Sequence, residues 1–365
     1  PLFLSTVDKL NPSQYNSVLR TFAMSTFFSA IITLLVGYFN YAQTGLTKYF
    51  FYHDLTIFMH SAYYALYALF AIAIFINLYH KTQNNKHKIA YSSMAFGLGI
   101  FLFLLSSRMQ ILIFVILLTL YILVSAFQKR RIVTGMLVLF LSYACIFLLV
   151  TQMPKTSVRL EQTKEHLKNI NYPKTNGDAR VQIWETAIRV IQKNYLKGSG
   201  VGDVKDVLIN EYKILSEGEG EDLVEQKIEQ IKHNEKWFLH IRQKAIENNI
   251  SVEDQLFEDA IYVLKDKKSR YKYFIKKGYN YHSQFFQTLA AVGVLGFLFL
   301  LFSLLIPAYN LALKNKKYLL LAFMFMFFVS FVTESMLERQ AGVILYAFFG
   351  SFLTLVNKEI TDKPV

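Results

Sequence analysis

Long apolar runs alternate with short polar intervals along the chain, and one polar interval is far longer than the rest. The runs cover about Thr21–Tyr41, Leu55–Tyr79, Ile89–Leu105, Met109–Phe127 and Ile132–Gln152. Beyond the long interval come about Phe285–Tyr309, Tyr318–Val332 and Ala341–Val356. Each is near the ~20 residues a helix needs to cross ~30 Å of hydrocarbon. The pattern predicts an all-α polytopic membrane protein with about eight transmembrane helices. The N-terminal spans occupy residues 1–152, a large loop domain 153–282, the C-terminal spans 283–357 and a tail 358–365.

The long interval carries its own helical periodicity. Asp178 can cap a helix bearing Val181, Trp184, Ala187, Ile188 and Ile191, and Gly198 ends it. Residues Glu217–Lys277 are charged and helix-prone, with Leu223, Ile228, Ile231, Phe238 and Ile241 at three- and four-residue steps. This predicts helical hairpins lying over the membrane exit. No internal repeat is visible.

Charge orients the spans. The net charge of +13 would suggest nucleic acid in a soluble protein. Here the chain is 53% hydrophobic, and its basic groups cluster in loops 80–88, 129–131 and 314–317 and at Lys358 and Lys363. Alternating the helices puts all of these on one side, the cytoplasm by the positive-inside rule, so no nucleic-acid partner is expected. The other side receives 43–54, Ser106-Ser107-Arg108, the whole of 153–282, and Glu334–Gln340. Membrane lipids are the expected surroundings. Cys145, alone in an apolar run, excludes a disulfide or thiolate metal site within the chain. The sequence begins at Pro1 with no signal-peptide pattern, and an N-terminal piece is expected to be missing.

Four stretches on the outer side hold candidate chemistry. Arg108 stands between two spans with almost no loop; it is either a snorkelling anchor or a phosphate clamp. Arg180 and Trp184 precede Gly198-Ser199-Gly200-Val201-Gly202, which lacks the preceding strand of a dinucleotide fingerprint and the lysine of a P-loop. The bland reading is a helix stop with a tight turn. His282 opens a spanning helix, followed by Gln284, Gln287, Gly293 and Gly296, and a histidine there can act as a general base near neutral pH. Glu334–Gln340, including Glu338, reads most simply as a solvated hairpin tip with a local Glu–Arg pair. His53, Asp54 and His60 lack metal-ligand spacing, and His60 reads as a structural or headgroup contact. No metal or cofactor is expected.

Taken in order, these elements resemble the O-antigen ligase and O-antigen polymerase superfamily of bacterial inner-membrane glycosyltransferases. The resemblance rests on Ser107-Arg108, on Arg180 and Trp184 with the glycine turn, on His282-Ser283-Gln284-Phe285-Phe286-Gln287 with Gly293 and Gly296, and on Glu334–Gly342. It covers about residues 55–357, and the chain resembles about the C-terminal two-thirds of a family member. Two departures stand out. The family usually has His-Asn where this chain has His282-Ser283, and the charged stretch 217–277 is longer than the resemblance leads one to expect.

The resemblance implies a GT-C-like fold with a periplasmic loop and a site facing the periplasm. It implies transfer of a glycan from undecaprenyl diphosphate to an acceptor hydroxyl, without metal or nucleotide sugar. The acceptor is a lipid A core sugar in a ligase, a carrier-linked glycan in a polymerase, and a protein in related oligosaccharyltransferases. His282 is then the catalytic base, and Arg108, Arg180, Trp184, Gln284 and Glu338 bind diphosphate or substrate. A diphosphate leaving group needs cations rather than a general acid, which two guanidinium forks supply. The competing class, a transporter, would place charge at mid-membrane, where these spans have almost none.

Overall fold

A computed structural model describes residues 11–152, 179–217, 220–248, 250–264, 266–314 and 317–355. Among them the regular structure is helical, without strands. In chain order the longer helices are α1 (Pro12–Thr44), α2 (Ser61–Lys81), α3 (Asn85–Leu104), α4 (Arg108–Gln128), α5 (Ile132–Gln152), α6 (Ala179–Lys193), α7 (Val204–Ser216) and α8 (Gly220–His233). Then follow α9 (Glu235–Asn248), α10 (Val252–Leu264), α11 (Lys267–Lys277), α12 (Gln284–Leu300), α13 (Ile306–Lys314), α14 (Tyr318–Thr333) and α15 (Gln340–Leu355). A wide π turn over Leu301–Leu305 joins α12 to α13.

Each of the eight apolar runs is mostly helical, the second from Ser61 onward and the sixth with a break at Gly293. Pro12–Thr44, Ser61–Lys81, Asn85–Leu104, Arg108–Gln128 and Gln284–Ser303 are long and apolar enough to span, and Ile132–Leu148, Tyr318–Thr333 and Gln340–Thr354 are shorter apolar helices. The protein is an all-α polytopic membrane protein. The first helix begins well before its apolar run because the chain supplies a capping box there. Asn11 Oδ1 accepts the Gln14 N–H at 2.8 Å, and Gln14 Oε1 accepts the Asn11 N–H at 3.0 Å. Pro12, which has no N–H to satisfy, fits the first helical position.

The chain divides into two compact units, Pro1–Lys164 with Leu300–Val365, and Glu165–Phe299. In the first, the apolar unit, α2 is the central helix and packs against α1, α3, α4, α14 and α15. Ala65, Ala68 and Ala71 are fully buried along it, small enough to let neighbouring backbones approach. Phe70 lies edge-on to Phe349 at 5.0 Å and tilted against Phe323 at 4.8 Å. Lipid tails are as apolar as these rings, so close packing rather than water exclusion holds the bundle together.

The second unit, here the loop unit, has two cores. Ile183, Ala187 and Val190 of α6, Leu208 and Tyr212 of α7, Tyr271 and Phe274 of α11, Tyr281, and Ala290 and Ala291 of α12 form one. Val224, Ile231, Ile241, Leu256 and Ala260 form the other across α8, α9 and α10, and Tyr273 packs against both. The predicted hairpin helices are present. The predicted buried faces need correcting, because α6 carries two apolar stripes and Ile183–Ala187–Val190 is the one facing α7 and α11. Val181 and Ile188 are exposed, as is Leu223, whose neighbour Val224 turns inward instead. The proposed cap, Asp178, lies outside the described residues. The helix it would start ends at Lys193, before Gly198.

Candidate functional site

In the apolar unit, α3 and α4 meet in a turn of three residues. Leu105 closes α3, and Ser106 adopts a left-handed backbone at φ 50°. Ser107 is the N-cap, and Arg108 opens α4, half-buried. Arg108 is thus the first residue of a helix, whose free N-terminal N–H groups favour anions. Two residues on, fully buried Gln110 donates from Nε2 to Ser330 Oγ at 2.8 Å, and Ser330 donates to the Met326 carbonyl at 2.6 Å. Glu334–Gln340 is not simply a solvated tip. Glu338 is exposed, but Ser335 and Met336 are buried, and Tyr63 Oη donates to the Ser335 carbonyl at 3.2 Å. Tyr67 Oη donates to the Ala341 carbonyl at 2.9 Å. His60 is a helix cap, its Nδ1 accepting the Ala62 N–H at 3.3 Å.

Four polar atoms around this end are buried with no hydrogen-bond partner among the described residues: Ser61 Oγ, Gln110 Oε1, Thr333 Oγ1 and Ser335 Oγ. Each such atom costs about 1–3 kcal/mol. Gln110 and Ser335 do not stand out in the sequence as Arg108 does. The available signal is a glutamine inside an apolar run, a position that is functional by default in a membrane helix.

The loop unit holds the other candidates. Arg180 and Trp184 stand one turn apart in α6, and the Trp184 ring lies 5.8 Å from Phe286 of α12. Between them, Gln182 donates to the Lys267 carbonyl at 2.7 Å and accepts from Arg270 at 3.4 Å, fastening α6 to α11. Trp184 Nε1 and Gln287 Oε1 are buried without partners among the described residues.

His282 has a left-handed backbone at φ 45°, sparsely populated for a residue with a Cβ. Its neighbours hold it there. Tyr281 is 1% exposed and donates to the Val204 carbonyl at 2.9 Å, and Ser283 is 2% exposed. The His282 N–H donates to Asn280 Oδ1 at 3.0 Å. Its ring meets the Tyr279 ring edge-on at 5.2 Å. Burial pushes the phenols of Tyr279 and Tyr281 well above the ordinary tyrosine range, so both stay neutral donors. The imidazole is half-buried at the start of α12, and Gln284 donates to Thr288 Oγ1 at 3.2 Å one turn further.

The glycine turn is a clasp. The α12 ladder breaks at Gly293, at φ 66° and ψ −177°, which frees carbonyls one turn earlier. The Ser199 and Gly200 N–H groups donate to the Ala290 and Ala291 carbonyls at 2.8 and 2.9 Å, and the Val294 N–H donates to the Tyr195 carbonyl at 2.7 Å. Gly198 and Gly293 both have positive φ, and a Cβ on either would collide with the other segment's backbone. The Ser199 and Gly200 N–H groups are thus spent on a helix rather than on a phosphate.

The candidates fall into two sets by unit: Arg108 and Glu338 in the apolar unit, and Arg180, Trp184, His282 and Gln284 in the loop unit. Among the described residues no three His, Cys, Asp or Glu side chains are grouped to hold a metal. A family profile described as O-Antigen ligase matches residues 93–241. Over that stretch the chain is similar to the O-antigen ligase family. The matched stretch includes Ser107, Arg108, Arg180, Trp184 and the glycine clasp's first half, and it ends before His282 and Glu338. No curated protein matches the chain. Members of that family are glycosyltransferase-like enzymes, and the similarity supports an O-antigen ligase- or polymerase-type function in general terms.

Proposed function

We propose that the protein is a metal-independent O-antigen ligase of the bacterial inner membrane. It moves a glycan from undecaprenyl diphosphate to a hydroxyl of a lipid A core sugar on the periplasmic face. The family match over Arg108, Arg180 and Trp184 is the observation that carries this reading. The bond broken joins the anomeric carbon to the diphosphate, and the bond formed joins that carbon to the acceptor oxygen. Negative charge grows on the departing diphosphate, and Arg108 and Arg180 neutralise it through bidentate contacts. His282 takes the acceptor proton as the hydroxyl attacks. Its half-buried ring, held in a left-handed backbone by two buried neighbours, suits a base that must keep one orientation. Trp184 and Gln284 bind sugar, and Glu338 lines the acceptor side.

Lipopolysaccharide from a deletion strain tests the reading. A ligase mutant accumulates long carrier-linked glycan and bare core. Core bearing a single repeat would instead make the protein a polymerase, and unchanged lipopolysaccharide would remove it from this pathway class.

A further inference from the structure

The end of the apolar unit that carries basic loop 80–88 holds a cavity of about 370 Å³ with cationic side chains in its walls, within the usual range for small-molecule sites. Asn16 and Arg20 of α1, Lys81 of α2, Asn84 and His87 around the start of α3, and Tyr91 are among its walls. Among the described residues no carboxylate lines it. Asp54 is the single acidic side chain between residues 11 and 152, and it precedes the other end of α2. Asn16 is 5% exposed and accepts from Lys81 Nζ at 3.4 Å. The same ammonium lies 5.1 Å from the centre of the Tyr15 ring. Asn84 and His87 place the first turn of α3 at the cavity, so one helix N-terminus adds its positive end to Arg20 and Lys81.

A second cavity, of about 160 Å³, shares Tyr91 and is walled by Phe75, Ile76 and Tyr79 of α2, Ser92 and Ala95 of α3, and Tyr121 of α4. Tyr91 stacks on Phe75 at 6.0 Å between ring centres. A cationic cavity and a narrower, largely aromatic one, meeting at Tyr91, fit a molecule with an anionic head and a hydrocarbon body. Basic pockets between membrane helices take anionic headgroups.

We propose that this cavity binds the phosphate of an anionic phospholipid. Arg20 and Lys81 are its cationic contacts, Asn16 and Asn84 its neutral donors, and the Tyr91–Phe75 cavity receives the start of the acyl chain. None of these residues takes part in the transfer proposed above, so either reading can fail alone.

Native mass spectrometry of the full chain released from mixed vesicles of phosphatidylglycerol and phosphatidylcholine tests it. The wild type should retain phosphatidylglycerol preferentially. Arg20→Gln with Lys81→Gln should lower that retention by about tenfold or more, as expected for losing charge-assisted contacts. Lys86→Gln with Lys88→Gln removes the same charge from the same loop outside the cavity wall and should retain it. Equal loss in both pairs would mean diffuse attraction and would overturn the site. If the first pair fails to elute as a folded species, Asn16→Asp serves instead, since it puts a carboxylate beside the headgroup; undiminished retention by that variant overturns the proposal. Inorganic phosphate should not displace the lipid. Displacement at millimolar phosphate would assign the cavity to a free anion and overturn the lipid.

Discussion

The strained backbone at His282 allows its chemistry to be separated from its structural role, and His282→Gly is the informative change. A left-handed conformation costs a non-glycine residue about 1–2 kcal/mol, which glycine does not incur. Glycine's extra freedom in the unfolded chain takes back about 0.5–1 kcal/mol. Losing the edge contact with Tyr279 costs about 0.5–1.5 kcal/mol more. These terms nearly cancel, so the folded amount and melting temperature of the variant should stay close to wild type. A general base contributes about 10²–10⁴ in rate, equivalent to about 3–5 kcal/mol of barrier. Transfer from a purified carrier-linked glycan should therefore fall at least about a hundredfold at matched protein levels, with donor binding intact. Free imidazole, entering the space the ring vacated, should restore part of the rate. Turnover within about threefold of wild type, a barrier change under about 1 kcal/mol, would make His282 an anchor and refute the reasoning. Glu338 would become the next candidate base.

Arg108→Ala and Arg180→Ala should each lower transfer by about 30- to 1000-fold without loss from the membrane, and lysine should rescue poorly because it lacks the fork. Full activity in either alanine variant, read in the same transfer assay, would remove that residue from the site. Gly198→Ala and Gly293→Ala should each cost the loop unit at least about 2 kcal/mol, seen as faster proteolysis between Lys193 and Lys205. Burial raises the phenol pKa values of Tyr212, Tyr279 and Tyr281 above their unfolded values near 10. Their stabilising contribution is complete below about pH 10 and is lost as pH rises beyond it, so helical signal should fall with the appearance of phenolate absorbance rather than after it. A reporter fused near Gly220 should be active only outside the cytoplasm, and cytoplasmic activity would reverse the proposed topology.

The spans are legible in the sequence because an apolar run of about twenty residues suits little besides a helix in hydrocarbon. Their starts are less legible, since Asn11 and Gln14 set the first helix boundary by hydrogen bonding and not by apolarity. In the loop unit, periodicity reveals helices but cannot choose between two apolar stripes on α6. That choice depends on Tyr212 and Phe274, distant residues that pack on Ile183 and Ala187. Arg108, Arg180 and His282 stand out as charged or ionisable groups beside apolar runs. The support around them does not. Nothing local tells that Tyr281 will be anchored to Val204, or that Gln110 will reach Ser330, because both partners lie far along the chain. The glycine turn fails the nucleotide fingerprints on sequence alone, while its partner, the broken ladder at Gly293, is visible only in three dimensions.

The clasp between residues 195–200 and 290–294 also sets an order of events during synthesis. Roughly ninety residues separate the two halves, so closing it is a late, entropically costly step. The first core of the loop unit cannot be completed on emergence of α6 and α7, because Tyr281, Ala290 and Ala291 belong to it. The segment must wait for the opening half of the next apolar helix. A fragment cut at residue 282 would therefore leave the Ser199 and Gly200 amides without their acceptors and the core without one wall. An excised version of this unit has to run past Val294, carrying apolar helix with it. Its solubility and its completeness are in direct conflict.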